Sequence, residues 1–93
     1  MADLLSDEQI ESRLQGGDWK REGNEIVREW KFKDFGEAMG FVNRVAEAAE
    51  EANHHPDILV HGWNKVRLSL TNHSAGGLTE TDFQLAGRFD RLG

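Results

Sequence analysis

The single proline of the chain, Pro56, stands where a helical repeat of apolar residues gives way to a strand-like one, and this junction constrains the fold more than any other feature. Upstream, Asp34 is placed to N-cap a helix with Glu37 three residues on. Phe35, Met39, Val42, Val45, Ala46 and Ala49 then recur at helical spacing through Asn53. The proline ring disfavours the helical region for the residue before it, so His55 must be extended and the helix must stop. Downstream, Ile58-Leu59-Val60 reads as a strand. After a turn around Gly62-Trp63-Asn64, Val66, Leu68 and Leu70 alternate with Lys65, Arg67, Ser69 and Thr71, the pattern of a second strand with one wet face.

The flanking segments complete the plan. Ser6 can cap a short helix whose capping box is closed by Gln9, with Leu5 stapled onto Ile10 and Leu14 on the same face. Gly16-Gly17 stops that helix, and Trp19 opens an extended stretch to Glu22. Beyond the turn pair Gly23-Asn24, Ile26, Arg28, Trp30 and Phe32 alternate with Val27, Glu29, Lys31 and Lys33, which makes a half-buried strand and a first hairpin. At the other end, Thr79 caps a final helix with Asp82 at the box position. Its inner stripe is expected to be Phe83, Ala86 and Phe89, and Leu78 staples onto Phe83. The sum is helix, hairpin, long helix, hairpin, helix. This predicts an α+β domain over residues 1–93, with a four-stranded antiparallel sheet and the helices packed on one face.

Composition excludes several function classes. Ninety-three residues make one small domain with a thin core, so contacts with further copies would help, and self-association is expected. The absence of cysteine rules out a disulfide framework and thiolate metal sites. The acidic start Met1-Ala2-Asp3-Leu4-Leu5-Ser6-Asp7-Glu8 lacks the apolar core of a signal peptide, and no stretch is long and apolar enough to span a bilayer. A cytoplasmic protein without membrane contact is the simplest expectation. A formal net charge of -6 would repel phosphate backbones, and the basic residues are interspersed with acids, which argues against direct nucleic-acid binding.

The residues around Pro56 carry the chemistry. Three of the four histidines fall in one spaced pattern: His54 and His55 before the proline, and His73 after the second hairpin. Antiparallel pairing about a turn near Trp63 folds residues just past Thr71 back beside residues just before Pro56, so His73 should return to the histidine pair. Glu50 lies four residues before His54. If the helix persists that far, the two share a face and can hydrogen-bond, and a carboxylate and a helix C-terminus beside an imidazole suit it to donate a proton. Three imidazoles with no serine or cysteine nucleophile required fit proton transfer better than covalent catalysis. A zinc site is the rival reading, but adjacent histidines are an unusual supply of two ligands and the His-x-x-x-His spacing is missing, so no metal is expected. His61 matches no pattern and reads as a strand histidine. Trp30, Phe32, Phe35, Met39 and Phe41 read as core, whereas Trp19 and Trp63 could line a slot for a flat heterocycle.

At these positions the chain resembles the pterin-4a-carbinolamine dehydratase family, also called DCoH. The family signature of acid, His-His-Pro, aromatic, His and Asp is met by Glu50, His54-His55-Pro56, Trp63, His73 and Asp82. The similarity extends to Gly17-Asp18-Trp19, to the run Trp30–Phe35, to Phe41–Ala46 and to Gly76-Gly77-Leu78-Thr79, while Asn72 stands where threonine commonly precedes the third histidine. The resemblance implies a cofactor-free dehydration of 4a-hydroxytetrahydropterin that recycles tetrahydropterin for aromatic amino acid hydroxylases. It implies His54 and His73 as the proton-transfer pair, His55 holding the pterin, and Glu50 supporting His54. Trp19, Trp63 and Asp82 then stand with His55 on the substrate-binding side. It also implies a homotetramer built by joining sheets and pairing long helices. The alternative implied by the family is a non-enzymatic dimerisation cofactor of a homeodomain transcription regulator.

Overall fold

The computed structural model describes residues 3–93; Met1 and Ala2, the first residues of the acidic start, lie outside them. The elements follow in the order α1 (Asp7–Leu14), β1 (Lys20–Glu22), β2 (Glu25–Lys31), α2 (Phe35–Ala52), β3 (Asp57–His61), β4 (Lys65–Leu70) and α3 (Glu80–Asp90). This is the predicted α+β plan. Local chemistry explains most boundaries. Ser6 and Gln9 close the capping box of α1 in both directions, and the Asp34 carboxylate accepts from the Glu37 amide at the start of α2. Gly16 turns the chain out of α1 with φ of 74°, in the left-handed region that glycine enters without a Cβ clash.

All sheet pairings are antiparallel, in the order β1-β2-β4-β3. β4, rather than β3, takes the place beside β2. Val66, Leu68 and Leu70 are fully buried at the centre, whereas Ile58 and Leu59 of the edge strand β3 are exposed. Ile26 faces Leu70 and Trp30 faces Val66 across the central pair, and their side chains meet Phe41, Val45 and Ala49 of α2 and Leu85, Ala86 and Phe89 of α3 in one core. Burying each of the larger side chains stabilises the fold by roughly 1.5–3 kcal/mol.

The inward face of α2 differs from the expected stripe. Ala38, Phe41, Val45, Ala48 and Ala49 are buried, while Phe35 and Ala46 are exposed and Met39 and Val42 half-buried. The apolar arc of this helix is wider than one face needs, and the sheet selects the part that carries Phe41. In α3, Leu85 joins Ala86 and Phe89 inside, and Phe83 is only half-buried, with the Arg13 guanidinium 5.6 Å from its ring centroid. No helix among the described residues is long and apolar enough to cross a membrane.

Two features of this fold set up the region around Pro56. Helix α2 ends at Ala52 because Asn53 takes the left-handed conformation at φ 50°. The Asn53 amide then bonds the Glu50 carbonyl and the His54 amide bonds the Ala49 carbonyl, at 3.2 Å each, the paired closure typical of a left-handed helix end. At the far end of the second hairpin, Gly62 and Trp63 both have positive φ, which matches the twist of a tight hairpin turn.

Candidate active site

His54 leaves the helix axis at the Asn53 turn and points toward the N-terminus of α3. Its Nε2 lies 2.5 Å from Oδ1 of Asp82. Asp82 is completely buried, and its other oxygen accepts from the Thr79 amide at 2.8 Å and the Thr79 hydroxyl at 3.1 Å. One carboxylate therefore caps α3, where the helix dipole favours negative charge, and fixes the His54 ring. With Oδ2 engaged, Oδ1 accepts the hydrogen of Nε2, which leaves Nδ1 of His54 available to a guest. The ring is held in one tautomer and one orientation.

This arrangement departs from the expected Glu50–His54 pair. The left-handed turn at Asn53 ends the helix before His54, so the four-residue spacing no longer places the two on one face. Glu50 lies instead 3.5 Å from Nε2 of His55, and both side chains are more than half exposed. Such an exposed pair is worth little in free energy. Asp82, expected on the substrate-binding side, stands behind His54 and touches the cleft only through that ring.

His73 comes from the loop after β4. Asn72 organises this loop by accepting at its carbonyl oxygen from Gly76 and Gly77, at 2.9 and 3.2 Å, and at Oδ1 from the Ala75 amide at 3.0 Å, while its own amide donates to Gly77. Gly76 completes the closure with φ of 82°. The register of β3 on β4, with Asp57 opposite Ser69, continues toward His55 opposite Thr71. The three histidines consequently line one open cleft of about 210 Å³, together with Asn53, Thr71, Asn72 and Ser74.

The cleft offers imidazoles and neutral polar groups. Ser74 makes no hydrogen bond to a histidine ring among the described residues, so the cleft holds no preformed serine–histidine pair. Among the described residues, no three His, Asp or Glu side chains come together as a metal-binding group. The arrangement suits proton donation and removal on a flat guest.

The two tryptophans lie elsewhere. Trp19 is buried against Trp30, with ring centroids 5.8 Å apart, and its Nε1 donates to Asp90 at 2.7 Å. It lines a separate groove between α1 and α3 with Leu14, Phe83 and Gly87. Trp63 sits in the hairpin turn, 62% exposed, at the end of β3 and β4 opposite to His55 and His73. His61 bonds Glu29 at 2.5 Å on the wet face of the sheet, as a strand histidine would. Sequence reasoning did not single out Asn53, Thr71 and Ser74 as cleft residues. An asparagine directly before His-His-Pro was the only available signal, because asparagine tolerates the left-handed turn better than most residues.

Comparison with known proteins identifies relatives along nearly the whole chain. The family model described as Pterin 4 alpha carbinolamine dehydratase matches residues 3–92. A relative from Picosynechococcus sp., named as a candidate pterin-4-alpha-carbinolamine dehydratase, is 52% identical and aligns over 99% of this chain and 100% of its own. A similarly named protein of Thermomicrobium roseum is 54% identical over 95% of each chain. Among solved structures, one described as a transcriptional coactivator/pterin dehydratase from Brucella melitensis superposes with a TM-score of 0.90 at 31% identity, covering 97% of this chain and 98% of that one. A pterin dehydratase-like RuBisCO assembly factor of the alpha-carboxysome shares the fold at a TM-score of 0.69, over 83% of this chain and 90% of that one. With the match running nearly end to end and the three histidines gathered in one cleft, the chain belongs to the pterin 4 alpha carbinolamine dehydratase family.

Proposed function

We propose that this protein dehydrates 4a-hydroxytetrahydropterin to the quinonoid dihydropterin by histidine general acid/base catalysis, in the recycling of tetrahydropterin for aromatic amino acid hydroxylases. The observation that carries the reading is the meeting of His54, His55 and His73 in one cleft, with His54 oriented by a buried carboxylate. The reaction breaks the C4a–O bond, adds a proton to the departing hydroxyl so that it leaves as water, and removes the proton of N5 as the C4a=N5 double bond forms. Protons balance within the substrate and the imidazoles, and no oxidant or reductant is consumed. His54, through Nδ1, and His73 form the proton-transfer pair, and His55 holds the ring. Asp82 takes the supporting role that the sequence pattern gave to Glu50. Positioned general acid/base groups of this kind contribute typically 10²–10⁴-fold in rate.

Replacing His54 or His73 by alanine is expected to lower dehydration of freshly generated carbinolamine by a factor in that range, roughly 10²-fold or more, with the circular dichroism spectrum unchanged. Wild-type turnover in both variants would overturn the reading. We further propose that the protein works as a homodimer or homotetramer. A second reading, an interaction protein acting with a transcription regulator, is supported by the description of the Brucella melitensis structure as a coactivator. It predicts biological function that survives loss of all three histidines, whereas the enzyme reading predicts that function falls with them.

A further inference from the structure

Two supports hold the proton-transfer histidines, and both end on the same three residues. His73 follows Asn72, whose carbonyl and amide pair with the amide and carbonyl of Gly77 at 3.2 and 3.0 Å. His54 is held by Asp82, whose other oxygen accepts from the amide and hydroxyl of Thr79. Leu78, between Gly77 and Thr79, is buried in the core. The segment before α1 lies across this stretch. The Leu5 amide donates to the Leu78 carbonyl at 2.9 Å, and Leu4 makes an antiparallel bridge with Thr79. The Leu4 side chain covers Gly77, where a Cβ would stand 3.2 Å from its Cδ2. Helix α1 does not call for this contact, because the capping box of Ser6 and Gln9 closes its first turn without it. The segment is also lightly held, with Leu5 half-buried and Leu4 55% exposed.

Resting on the reading of His54 and His73 as the proton-transfer pair, we propose that Leu4 and Leu5 are positioning residues for both rings. Docked on Gly77, Leu78 and Thr79, they fix the Asn72 turn and the Thr79–Asp82 cap relative to each other, and with them the separation of the two imidazoles. The elimination delivers one proton and removes another at neighbouring bonds of one substrate, so it depends on that separation. A misplacement of about 1 Å in such a constellation can cost on the order of 10²-fold in rate. Neither leucine lines the histidine cleft, so undocking them disturbs the chemistry and not the capture of the guest.

Leu5→Pro removes the N–H that joins Leu78, and Leu5→Ile keeps it. Leu14→Ala, at a half-buried leucine near the other end of α1, is a control that loses packing away from Gly77. Leu5→Pro is expected to lower kcat on the carbinolamine by about tenfold with KM within about twofold of the parent. Leu5→Ile should retain kcat, and Leu14→Ala should lower the urea midpoint while kcat holds. Removal of residues 1–5, which leaves the Ser6 cap in place, should reproduce the kcat loss without a proline. Nitrogen NMR spectra of the imidazoles, at a pH that keeps the rings neutral, read the segment independently of turnover. The parent should show His54 as one tautomer with its hydrogen on Nε2, and the truncated protein should show averaged signals for His54 and His73. Parent-like spectra or parent-like kcat in the truncated protein, or a kcat loss in Leu14→Ala as large as in Leu5→Pro, overturns the positioning role and leaves the histidine chemistry standing. A parent that does not turn over the carbinolamine overturns the dehydratase reading, and the spectra then decide by themselves whether the segment orders the rings.

Discussion

His54 owes its orientation to Asp82, a residue with two duties, and the two can be separated by substitution. In Asp82→Asn, the amide oxygen can still accept from Thr79, but the amide nitrogen is then turned onto His54 and is a donor where an acceptor stood. The ring must present the other tautomer, with its hydrogen on Nδ1. We expect kcat for dehydration to fall by a factor on the order of 10–100, as when a partner that fixes an imidazole tautomer is removed. Stability should fall by no more than about 1–2 kcal/mol, the scale of a weakened cap and one altered hydrogen bond. A double-mutant cycle distinguishes positioning from damage to the fold: once His54 is alanine, Asp82→Asn should cost little further activity. Additive losses would show that Asp82 does not act through the ring. At this scale, the His-His-Pro run and the returning His73 were legible because proline and strand register are strong local rules. The Glu50–His54 pairing was misleading because four-residue spacing assumes an unbroken helix, and one left-handed asparagine ends it.

That asparagine closes the longest element, and the position of the histidines depends on it. Asn53 stands at φ 50°, where a branched side chain meets its own backbone and glycine meets nothing. We expect Asn53→Gly to change stability by a few tenths of a kcal/mol at most and Asn53→Val to cost roughly 1–2 kcal/mol. Urea denaturation midpoints measure both, and equal effects would remove the account of how α2 ends. The rest of the element plan was readable for reasons particular to each segment. Ser6 with Gln9 and Thr79 with Asp82 announce their helices, and the alternation of Val66, Leu68 and Leu70 announces a half-buried strand. Strand order was not readable in the same way. Alternation says that a strand has an inner face but not which strand will be its neighbour, and the choice of β4 for the centre follows from burial that three helices create together. Phe35 shows the converse limit. It fits the helical repeat of α2 yet is 54% exposed, because periodicity finds an apolar arc without saying how much of it the sheet will cover.

The whole molecule leaves apolar surface in two places where a second copy could bury it. The two edges of the sheet are unlike. Strand β1 is short and entirely charged, Lys20-Arg21-Glu22, a protected edge, whereas β3 carries Ile58-Leu59-Val60 with Leu59 53% exposed. On the opposite layer, Phe35, Met39, Val42 and Ala46 form a stripe on α2 beside the buried face. A chain of this size buries only somewhat over half of its unfolded surface, so covering either region adds appreciably to a thin core. If β3 pairs across a two-fold axis and α2 packs on its counterpart, the two contacts are independent and together build a tetramer. Light scattering on the parent chain should then give a whole multiple of 10.5 kDa above one. Leu59→Lys should remove the sheet contact and Phe35→Glu the helix contact, each leaving a dimer where the parent is a tetramer, and the double variant should be monomeric. A parent chain that stays monomeric at micromolar concentration would refute self-association, and an unchanged mass in the double variant would place the contact on other surfaces.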